Sequence, residues 1–405
     1  MRGANPRPQR RAGNRGSVAG RDRRRGARRH PVTRADAGER ARLHDLFSEL
    51  CGIASPSGSE RRCADRVTAE LGALGVAVHE DAAAQTTGGD CGNLIARIDG
   101  DGPRILLCTH LDTVSPLAPI EPVVVDGGWE NANEGILGAD NKAAVAVALA
   151  LARRCVTERA AVSLELLFTV CEERALAGAK AFDVGQLASP FGYVFDHATP
   201  IGEIVTASPT YYRLEALFRG RAAHAGIRPE VGRSAIVAAA KAIAAMRLGR
   251  LDGETTANVG AIDGGEDGTN VVPERCRLLA EARSLDRGKV ESVVAELVDR
   301  LQDGANAAEC DVDVDVERQF DGYRQRSTLP AIAAAETALR ACGYQSRQIA
   351  SGGASDANVL QAAGLACVNL ANGTEHNHEP TERVSVAALE GMLDVALTLV
   401  DVVPA

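Results

Sequence analysis

The sequence predicts an α/β protein in which a doubly wound domain with a mixed sheet is interrupted by a second, smaller domain. Apolar runs typical of buried strands alternate with helical segments up to residue 209, and the same alternation returns at about residue 319. Residues 210–318 instead follow the order β-α-β-β-α-β, which is the split sandwich of a ferredoxin-like domain. We therefore expect residues 38–209 and 319–405 to form one domain into which residues 210–318 are inserted.

The first part of the chain starts with two helices and then changes to strands. An amphipathic helix begins near Glu39, and the Ser/Glu spacing of SPSGSE favours the start of a second helix. Strands are predicted from short apolar runs, namely NLIARI, RILLCTH, SLELLFTVCEE and YVFDH. The long apolar segment KAAVAVALALARRC predicts a helix among them. Because strand and helix alternate, the strands are expected to share one sheet with helices on both faces.

The inserted segment and the last segment have equally clear patterns. Four strands are predicted in the insert, at YYRLEALFRGRA, TANVGAIDGG, ERCRLLAEARSLD and CDVDVDVERQF. Its two helices are predicted at RSAIVAAAKAIAAM and KVESVVAELVDRLQDGA. After about Tyr323 a helix (LPAIAAAETALRAC), a Gly-rich turn (SGGASDANVL) and a strand (ACVNLA) resume the first pattern.

Composition limits the class of protein. The chain has 405 residues, of which 45% are hydrophobic, enough to bury a large core. Its ten cysteines are scattered singly, without a CxxC pair. Neither a disulfide scaffold nor a zinc ribbon is therefore expected, and a cytoplasmic location fits. No apolar stretch reaches the roughly 18 residues of a membrane helix, so no membrane partner is expected.

Residues 1–35 differ from the rest of the chain. Residues 1–30 hold eleven arginines against one acid, Asp22, and few apolar side chains. A segment of this composition cannot offset the entropy of ordering, so a disordered tail is predicted. Arginine-rich tails also occur in nucleic-acid-binding proteins, but no aromatic residue is interleaved with these arginines. A nucleic-acid partner is therefore not expected.

Five short stretches hold residue types that bind zinc, and each lies at or just after a predicted strand. They are THLDTV with His110 and Asp112, GADNK with Asp140, CEER with Glu172 and Glu173, FDH with Asp196, and EHNHEP with His378. In α/β sheets the loops that follow strands present their side chains to a common crevice. Together the stretches predict a two-metal hydrolase site, for which imidazole and carboxylate ligands are suitable.

The spacing within these stretches indicates which groups can bind metal and which can orient a ligand or accept a proton. Asp112, two residues after His110, can accept the second imidazole N–H, while Asp140 can bridge two ions. Of the adjacent pair Glu172 and Glu173, one can bind metal while the other accepts a proton from a metal-bound water. Spacing alone leaves two choices open, because His376 competes with His378, and His197 with Asp196.

The order of the motifs resembles that of the co-catalytic zinc exopeptidases and deacylases, which include peptidase T, carboxypeptidase G and aminoacylase. The resemblance covers residues 39–400 and rests on THLDTV, GADNKAAVA, TVCEERALAGAK, the Asp196 strand end, AAHAG, GGEDGTNVVPE with EARS, and GGASDANV. VNLANGTEHNHEPTE is most similar to the peptidase T-like branch, in which the terminal His is followed four residues later by a Glu, here Glu382.

The resemblance implies a role for each group. The ligands of two Zn²⁺ ions, for which Co²⁺ or Mn²⁺ could substitute, would be His110, Asp140, Glu173, Asp196 and His378, with Asp140 bridging. Glu172 would be the general base and Asp112 would orient His110. The peptide bond after Asp140 would be cis. The substrate side would include His224, Asn270, Arg283 and Gly353, with His224 reaching the active site of a partner subunit.

The resemblance also implies an activity and an assembly. The doubly wound domain would be catalytic, and the ferredoxin-like insert would serve as a lid and dimerisation domain in a homodimer. The substrate expected from the branch is a short peptide cut by a tripeptide aminopeptidase-like enzyme. An N-acyl amino acid deacylase or a carboxypeptidase G-like amidohydrolase with the same metal site is the alternative. A non-catalytic interaction protein would be expected to lack one of the required groups, and none is missing.

Overall fold

The computed structural model describes residues 32–158, 160–265 and 268–403. The predicted disordered tail, residues 1–35, lies outside these ranges except for its last four residues. Those four lie against the C-terminal helix of the chain, since the backbone N–H of Ala35 donates to Asp394 Oδ1 at 2.8 Å.

Helices and strands alternate along the described chain. The first part contains α1 (Ala37–Cys51), α2 (Arg61–Ala73), β1 (Val78–Glu80), α3 (Ala83–Thr87), β2 (Leu94–Ile98), β3 (Arg104–His110), β4 (Pro122–Val125), β5 (Gly128–Asn131), α4 (Ala139–Glu158), β6 (Ser163–Thr169), α5 (Ala177–Ala181), β7 (Phe191–Phe195) and β8 (Glu203–Ser208). The middle part contains β9 (Thr210–Arg219), β10 (Ala223–His224), α6 (Ala235–Ala245), β11 (Gly249–Arg250), β12 (Thr255–Gly264), β13 (Val271–Val272), β14 (Arg275–Ser284), α7 (Arg287–Asn306) and β15 (Asp311–Phe320). The last part contains β16 (Tyr323–Arg324), α8 (Pro330–Ala341), β17 (Arg347–Ala350), α9 (Asp356–Ala362), β18 (Ala366–Leu370), β19 (Thr374–Glu375), β20 (Arg383–Ser385) and α10 (Val386–Val402).

The largest sheet is mixed and draws on both outer parts of the chain. Its strand order is β1-β2-β6-β3-β7-β18-β8-β16, and β17 pairs with β8. The four central strands β6, β3, β7 and β18 run parallel to one another. Because β18 lies after the insert and β7 before it, the two outer parts of the chain share one sheet. The prediction of a doubly wound α/β fold is confirmed.

The strand β3 shows why this sheet is covered on both faces. Its side chains alternate, so Ile105 and Leu107 join the larger core with helices α1, α4 and α10. Leu106 and Cys108 face the opposite side and pack with Ala357 of α9 in a second core. The unbroken apolar run from Ile105 to Cys108 is therefore required by burial on both faces.

The middle part of the chain has its own antiparallel sheet and its own core. The strand order is β11-β12-β14-β9-β15. Apart from the short edge strand β11, this is the 4-1-3-2 arrangement of a ferredoxin-like fold, as predicted. Side chains of β9 and β14 pack against α6 and α7 around Phe218, Leu278, Leu297 and Leu301. In the DVDVDV run of β15, Val312 and Val314 pack against this core, while the aspartates face solvent.

A four-stranded sheet, in the order β19-β20-β5-β4, was not predicted from the sequence. Its strands are only two to four residues long, which is too short for a reliable alternation pattern. The sheet fixes the segment between β19 and β20, which carries His378 and Glu382, beside the start of α4.

The sequence predicts neither a membrane-spanning helix nor a disulfide scaffold. No helix in the described part of the chain is long and apolar enough to cross a membrane. All ten cysteines are free, and all except Cys342 are buried.

Candidate metal centre

Neighbouring strand ends assemble the predicted site. β3 ends at His110, β6 ends three residues before Glu172, and β7 ends one residue before Asp196. Because these three strands are parallel neighbours, their carboxyl ends meet at one edge of the sheet. The loop between β19 and β20 brings His378 to the same edge. Residues that are up to 268 positions apart in the sequence therefore converge.

His110 is buried, and its two ring nitrogens have different surroundings. Nδ1 lies 3.0 Å from the backbone oxygen of Asp112 and 3.4 Å from its Oδ1. Nε2 lies 3.6 Å from Oδ1 of both Asp140 and Asp196. Burial would lower the pKa of His110, but hydrogen bonding to these carboxylates raises it well above its usual range. Nε2 therefore faces the acidic centre, while Nδ1 contacts Asp112 on the opposite side of the ring.

Asp140 belongs to two groups of metal-capable atoms. His110, Asp140 and Asp196 bring one ligand atom each within 4.8 Å of one another, and so do Asp140, Glu173 and His378. Oδ1 of Asp140 faces the first group and Oδ2 faces His378 Nε2 at 3.4 Å. A two-metal site needs ligands for each ion and a carboxylate shared by both, and the two triads have this arrangement of donor atoms. The Asp140–Asn141 peptide bond is cis, as the family resemblance implied.

Asp112 is fully buried and holds the Glu172–Glu173 turn. Its Oδ1 accepts the backbone N–H of Glu172 at 2.9 Å, and its Oδ2 accepts that of Glu173 at 3.1 Å. Oδ2 also accepts the hydroxyl of Ser57 at 2.6 Å. The same carboxylate therefore contacts His110 and fixes the backbone of both glutamates, a function that spacing alone did not reveal.

Glu172 lies beside His110 but outside the two triads that share Asp140. One of its oxygens lies within 4.8 Å of ligand atoms of His110 and Glu173. Burial raises the pKa of Glu172 well above its ordinary value, and the carboxylates of Asp196 and Glu173 add to the increase. A carboxylate with a raised pKa next to a metal centre is suited to accept and return a proton.

The structure distinguishes the two histidines of the EHNHEP stretch. His378 Nε2 lies 2.7 Å from Glu173 Oε1, and its pKa is raised to about 10 by hydrogen bonding to Asp140 and Glu173. His376 Nδ1 instead lies 3.0 Å from the hydroxyl of Thr381. Both residues have positive φ, so the backbone reverses between them and sends their side chains apart. His378 reaches the acidic centre and His376 does not.

Asp196 and His197 both border the site, but only Asp196 enters a metal-capable group. The backbone N–H of Asp196 donates to Asn369 Oδ1 at 3.0 Å, and Asn369 Nδ2 donates to the backbone oxygen of Asp196 at 2.9 Å. This exchange ties the end of β7 to β18. Burial raises the pKa of Asp196 to about 7, and burial lowers that of His197.

Glu382 holds the backbone segment that carries Asp140. Its Oε2 accepts the backbone N–H groups of Leu137 and Gly138 at 2.9 and 2.8 Å, and its Oε1 accepts that of Asp140 at 2.9 Å. Burial raises its pKa to about 7. The family pattern singled out Glu382 as a trailing acid, and the structure shows that it holds the backbone that presents Asp140.

The donor set fits divalent metal ions. Oδ1 of Asp140 is buried without a hydrogen-bond partner among the described residues, although it lies between two other ligand groups. The two triads that share Asp140 add two further carboxylates and two imidazoles, namely those of Asp196, Glu173, His110 and His378. Carboxylates this close repel one another unless a cation or a proton lies between them. Imidazole nitrogen and carboxylate oxygen are ligands that zinc accepts.

A cavity of about 520 Å³ opens above the centre. Of the four residues expected on the substrate side, Arg283 and Gly353 line this cavity. His224 and Asn270 do not, and instead they lie together in the middle part of the chain, where Ala225 N donates to the backbone oxygen of Asn270 at 2.8 Å. A single chain therefore brings only two of the four to the metal centre.

The sequence did not indicate several other side chains that line the cavity. Tyr211 packs under the guanidinium of Arg283, whose Cζ lies 4.3 Å from the ring centroid. Arg213 and Phe320 also line the cavity. All three lie on β9 or β15, where the pattern predicted a strand but could not show which end would meet the other domain. Arg174, which directly follows the glutamate pair, is a fourth lining residue.

Comparisons with known proteins agree with this site. A model of a peptidase dimerisation domain matches residues 210–309, and a model of peptidase family M28 matches residues 93–196. The crystal structure of aminopeptidase PepT from Bacillus cereus is 36% identical, with a TM-score of 0.78, and covers 90% of this chain and 98% of that chain. A tripeptidase from Staphylococcus aureus is 32% identical over the same shares, with a TM-score of 0.84.

One curated relative extends the match in sequence. The uncharacterized protein YqjE from Bacillus subtilis is 35% identical over 363 residues, which are 89% of this chain and 98% of the relative. The similarity thus covers most of this chain and nearly the whole of the relative. The chain is a hydrolytic peptidase and belongs to the peptidase T-like branch of the co-catalytic zinc exopeptidase and deacylase family.

Proposed function

We propose that this metallopeptidase is a di-zinc aminopeptidase that hydrolyses amide bonds of short peptides. The observation that carries the proposal is the pair of ligand triads sharing Asp140, with Glu172 beside them at the floor of the cavity. One ion would be held by His110, Asp140 and Asp196, and the other by Asp140, Glu173 and His378. The similarity to an aminopeptidase and a tripeptidase favours short peptides cut from the amino end.

The proposed division of labour follows from the positions of the side chains. Two zinc ions at this site would lower the pKa of a water molecule and polarise the scissile carbonyl. Glu172 accepts the proton of that water and returns it to the leaving amine, for which its raised pKa is favourable. Asp112 holds the backbone of Glu172 and the imidazole of His110 in register. Arg283 and Gly353 border the space in which the peptide lies.

We also propose that residues 38–209 and 319–405 form the catalytic domain and that residues 210–318 are inserted into it. The enzyme would be a homodimer formed through this inserted domain. The model of a peptidase dimerisation domain matches within the insert. Large apolar side chains of the insert are exposed in the single chain, among them Ile227, Ile236, Val237, Ile262 and Val271. Covering such side chains is a reason for two copies to associate. His224 and Asn270 would then serve the cavity of the partner.

The proposal is tested by metal content and turnover of Glu172→Gln and Glu173→Gln. The zinc-loaded wild-type protein is expected to hold two ions per subunit and to hydrolyse tripeptides. Glu172→Gln should keep both ions and lose at least about 100-fold in kcat, because it removes only the proton acceptor. Glu173→Gln is the matched control and should lose metal. Undiminished turnover by Glu172→Gln would contradict the assignment of the base.

The same purified protein separates the alternative activities. N-acyl amino acids and folate-like conjugates are assayed beside di- and tripeptides. Cleavage of acylated substrates alone would replace the aminopeptidase with a deacylase or a carboxypeptidase G-like enzyme that uses the same metal centre. Loss of activity with a chelator and recovery with zinc, compared with cobalt and manganese, tests the metal itself.

A further inference from the structure

Arg174 stands out among the three arginines that line the cavity. Arg213 lies 3.1 Å from Glu215, and Arg283 lies 3.1 Å from Glu281 and over the ring of Tyr211. The Arg174 side chain has no hydrogen bond, ion pair or ring contact within the described part of the chain, and the residue is exposed. Of the three arginines that line the cavity, Arg174 is therefore the one whose guanidinium is not paired with a carboxylate in the described part of the chain.

The carboxylates that line the cavity are not available to pair with Arg174. Asp140, Glu172, Glu173 and Asp196 are the acidic residues that line it, and all four belong to the metal centre or act on it. Once cations occupy the centre, these acids are engaged with them. Arg174 is then a positive group at the wall of a substrate cavity, where a carboxylate of the substrate can pair with it.

The backbone around Arg174 is held in a fixed turn. Arg174 N donates to the backbone oxygen of Cys171, and Leu176 N donates to that of Glu172, at 3.3 and 2.7 Å. Cys171, Ala175 and Leu176 have positive φ, a conformation that costs free energy for residues with side chains and persists where surrounding contacts enforce it. Asp112 clamps the other side of the turn through Glu172 and Glu173. The turn that presents the general base therefore presents Arg174 as well.

A glycine leaves room for the guanidinium. Arg174 Nη1 lies only 2.9 Å from the place where a side chain would begin at Gly58, which itself has a φ of +88°. The Arg174 side chain thus passes over the backbone of the SPSG turn, at the rim of the cavity. Arg174 follows Glu172 by two positions and lines the same cavity, so a peptide bound beside Glu172 can present a residue near the scissile bond to Arg174.

We infer that Arg174 is a specificity-determining residue that selects short peptides carrying a carboxylate within two residues of the scissile bond. The inference rests on the proposed peptidase function and goes beyond it by naming a substrate class. The carboxylate has two possible sources, an acidic side chain or the terminal carboxylate of a short peptide. Both would form the same charge-assisted, bidentate contact with a guanidinium.

The test compares matched tripeptides with the zinc-loaded wild-type, Arg174→Ala and Arg174→Glu enzymes. Ala-Glu-Ala is paired with Ala-Gln-Ala, Glu-Ala-Ala with Gln-Ala-Ala, and Ala-Ala-Ala with its C-terminal amide. The wild type should prefer the carboxylate member of at least one pair, and Arg174→Ala should reduce that preference by about 10-fold to 100-fold, mainly through KM. The pair that responds identifies the source of the carboxylate.

Charge reversal separates recognition from a structural role. Arg174→Glu should disfavour the carboxylate member of the pair that responds in the wild type. If that pair is Ala-Glu-Ala and Ala-Gln-Ala, the variant should also favour Ala-Lys-Ala over Ala-Glu-Ala. A damaged turn would produce neither result. Arg213→Ala is the matched control, because its guanidinium is already paired, and it should change both members of each pair by the same factor.

Two results would overturn the inference while leaving the peptidase assignment intact: an equal effect of Arg174→Ala on charged and neutral peptides, or an equal loss of preference in Arg213→Ala. If the wild-type enzyme hydrolyses none of the peptides, the proposed function fails, and the inference fails with it.

Discussion

The carboxylate of Asp112 accepts the backbone N–H of Glu172 in a 2.9 Å hydrogen bond, so the residue behind His110 also positions the proposed general base. Asp112 is fully buried, and its second oxygen binds the next backbone N–H and the hydroxyl of Ser57. The carboxyl end of β3 and the loop after β6 are thereby coupled through one side chain. A change at Asp112 should affect catalysis more than its distance from the substrate cavity suggests.

The first prediction concerns Asp112→Asn. The amide nitrogen cannot accept a hydrogen bond, so at least one of the bonds to Glu172 or Glu173 is lost while the volume is kept. We expect kcat to fall by about 10-fold to 100-fold, the usual cost of losing the group that orients a metal ligand. Steady-state kinetics at saturating zinc measures the loss. Ser57→Ala, which removes only the hydroxyl bond, is the control, and an equal loss in both variants would contradict the coupling.

The second prediction distinguishes His378 from His376. His378 contacts Glu173 and Asp140, so His378→Ala should bind one metal ion less per subunit and lose most of its activity. His376 is only two residues away but bonds Thr381, so His376→Ala should retain both ions. Elemental analysis of the two purified variants measures the difference. Loss of metal from His376→Ala alone would show that the turn between the histidines is arranged differently in the metal-bound enzyme.

The two histidines also show what the sequence could and could not predict. The strand ends that carry His110, Glu172 and Asp196 could be located by their apolar runs, because both faces of the central strands are buried. The prediction that Asp140 also follows a strand was wrong, since Asp140 lies at the start of α4 and no strand directly precedes it. The choice of His378 came from the order of residues in a family, since two histidines two residues apart are equivalent by spacing. The geometric reason is the backbone reversal between them, at two positive φ values that the sequence does not reveal.

Residues that act through distant backbone groups were harder to assign. Glu382 accepts three N–H groups from the segment where α4 begins, more than 240 positions away in the sequence. Tyr211 and Arg213 were placed in a strand correctly, but their position in the cavity depends on how the insert meets the outer domain. Local patterns carry no information about such contacts, which exist only once the chain has folded.

The third prediction is about stability and pH. Glu165, in the middle of β6, is fully buried, and its oxygens accept hydrogen bonds from Arg97 and from the backbone and hydroxyl of Ser189. Burial opposes ionisation, yet these hydrogen bonds lower the pKa of Glu165 in the folded protein. Glu165→Gln should therefore lower the free energy of unfolding at neutral pH by about 2 kcal/mol, as measured by urea denaturation.

The sign of the pH dependence follows from the lowered pKa. The contribution of the ionised Glu165 is complete above the unfolded-state pKa of about 4.3 and is lost as the pH falls through the lower folded value. The difference in stability between wild type and Glu165→Gln should accordingly shrink from pH 6 to pH 3. Asp303→Asn, which breaks an exposed ion pair with Arg300, is the control and should cost less than about 0.5 kcal/mol. If the difference in the free energy of unfolding between wild type and Glu165→Gln instead increased as the pH falls, the lowered pKa of Glu165 would be contradicted.

The fourth prediction tests whether His224 serves the cavity of a partner subunit. His224 lies outside the cavity of its own chain. His224→Ala should be nearly inactive because it removes a group that stabilises the oxyanion in the partner's site, and Glu172→Gln because it removes the general base of its own site. In a mixed dimer, the subunit with His224→Ala keeps its own Glu172 and receives an intact His224 from the other subunit. Denaturing and refolding the two variants together at equal amounts should restore about a quarter of wild-type activity, since half of the dimers are mixed and each mixed dimer has one complete site of two.

A mixture of Glu172→Gln and Glu173→Gln is the control for this experiment. It should stay inactive, because each variant carries its defect in the metal centre of its own chain. Absence of recovery in a mixture shown to contain mixed dimers would mean that His224 does not act across the interface.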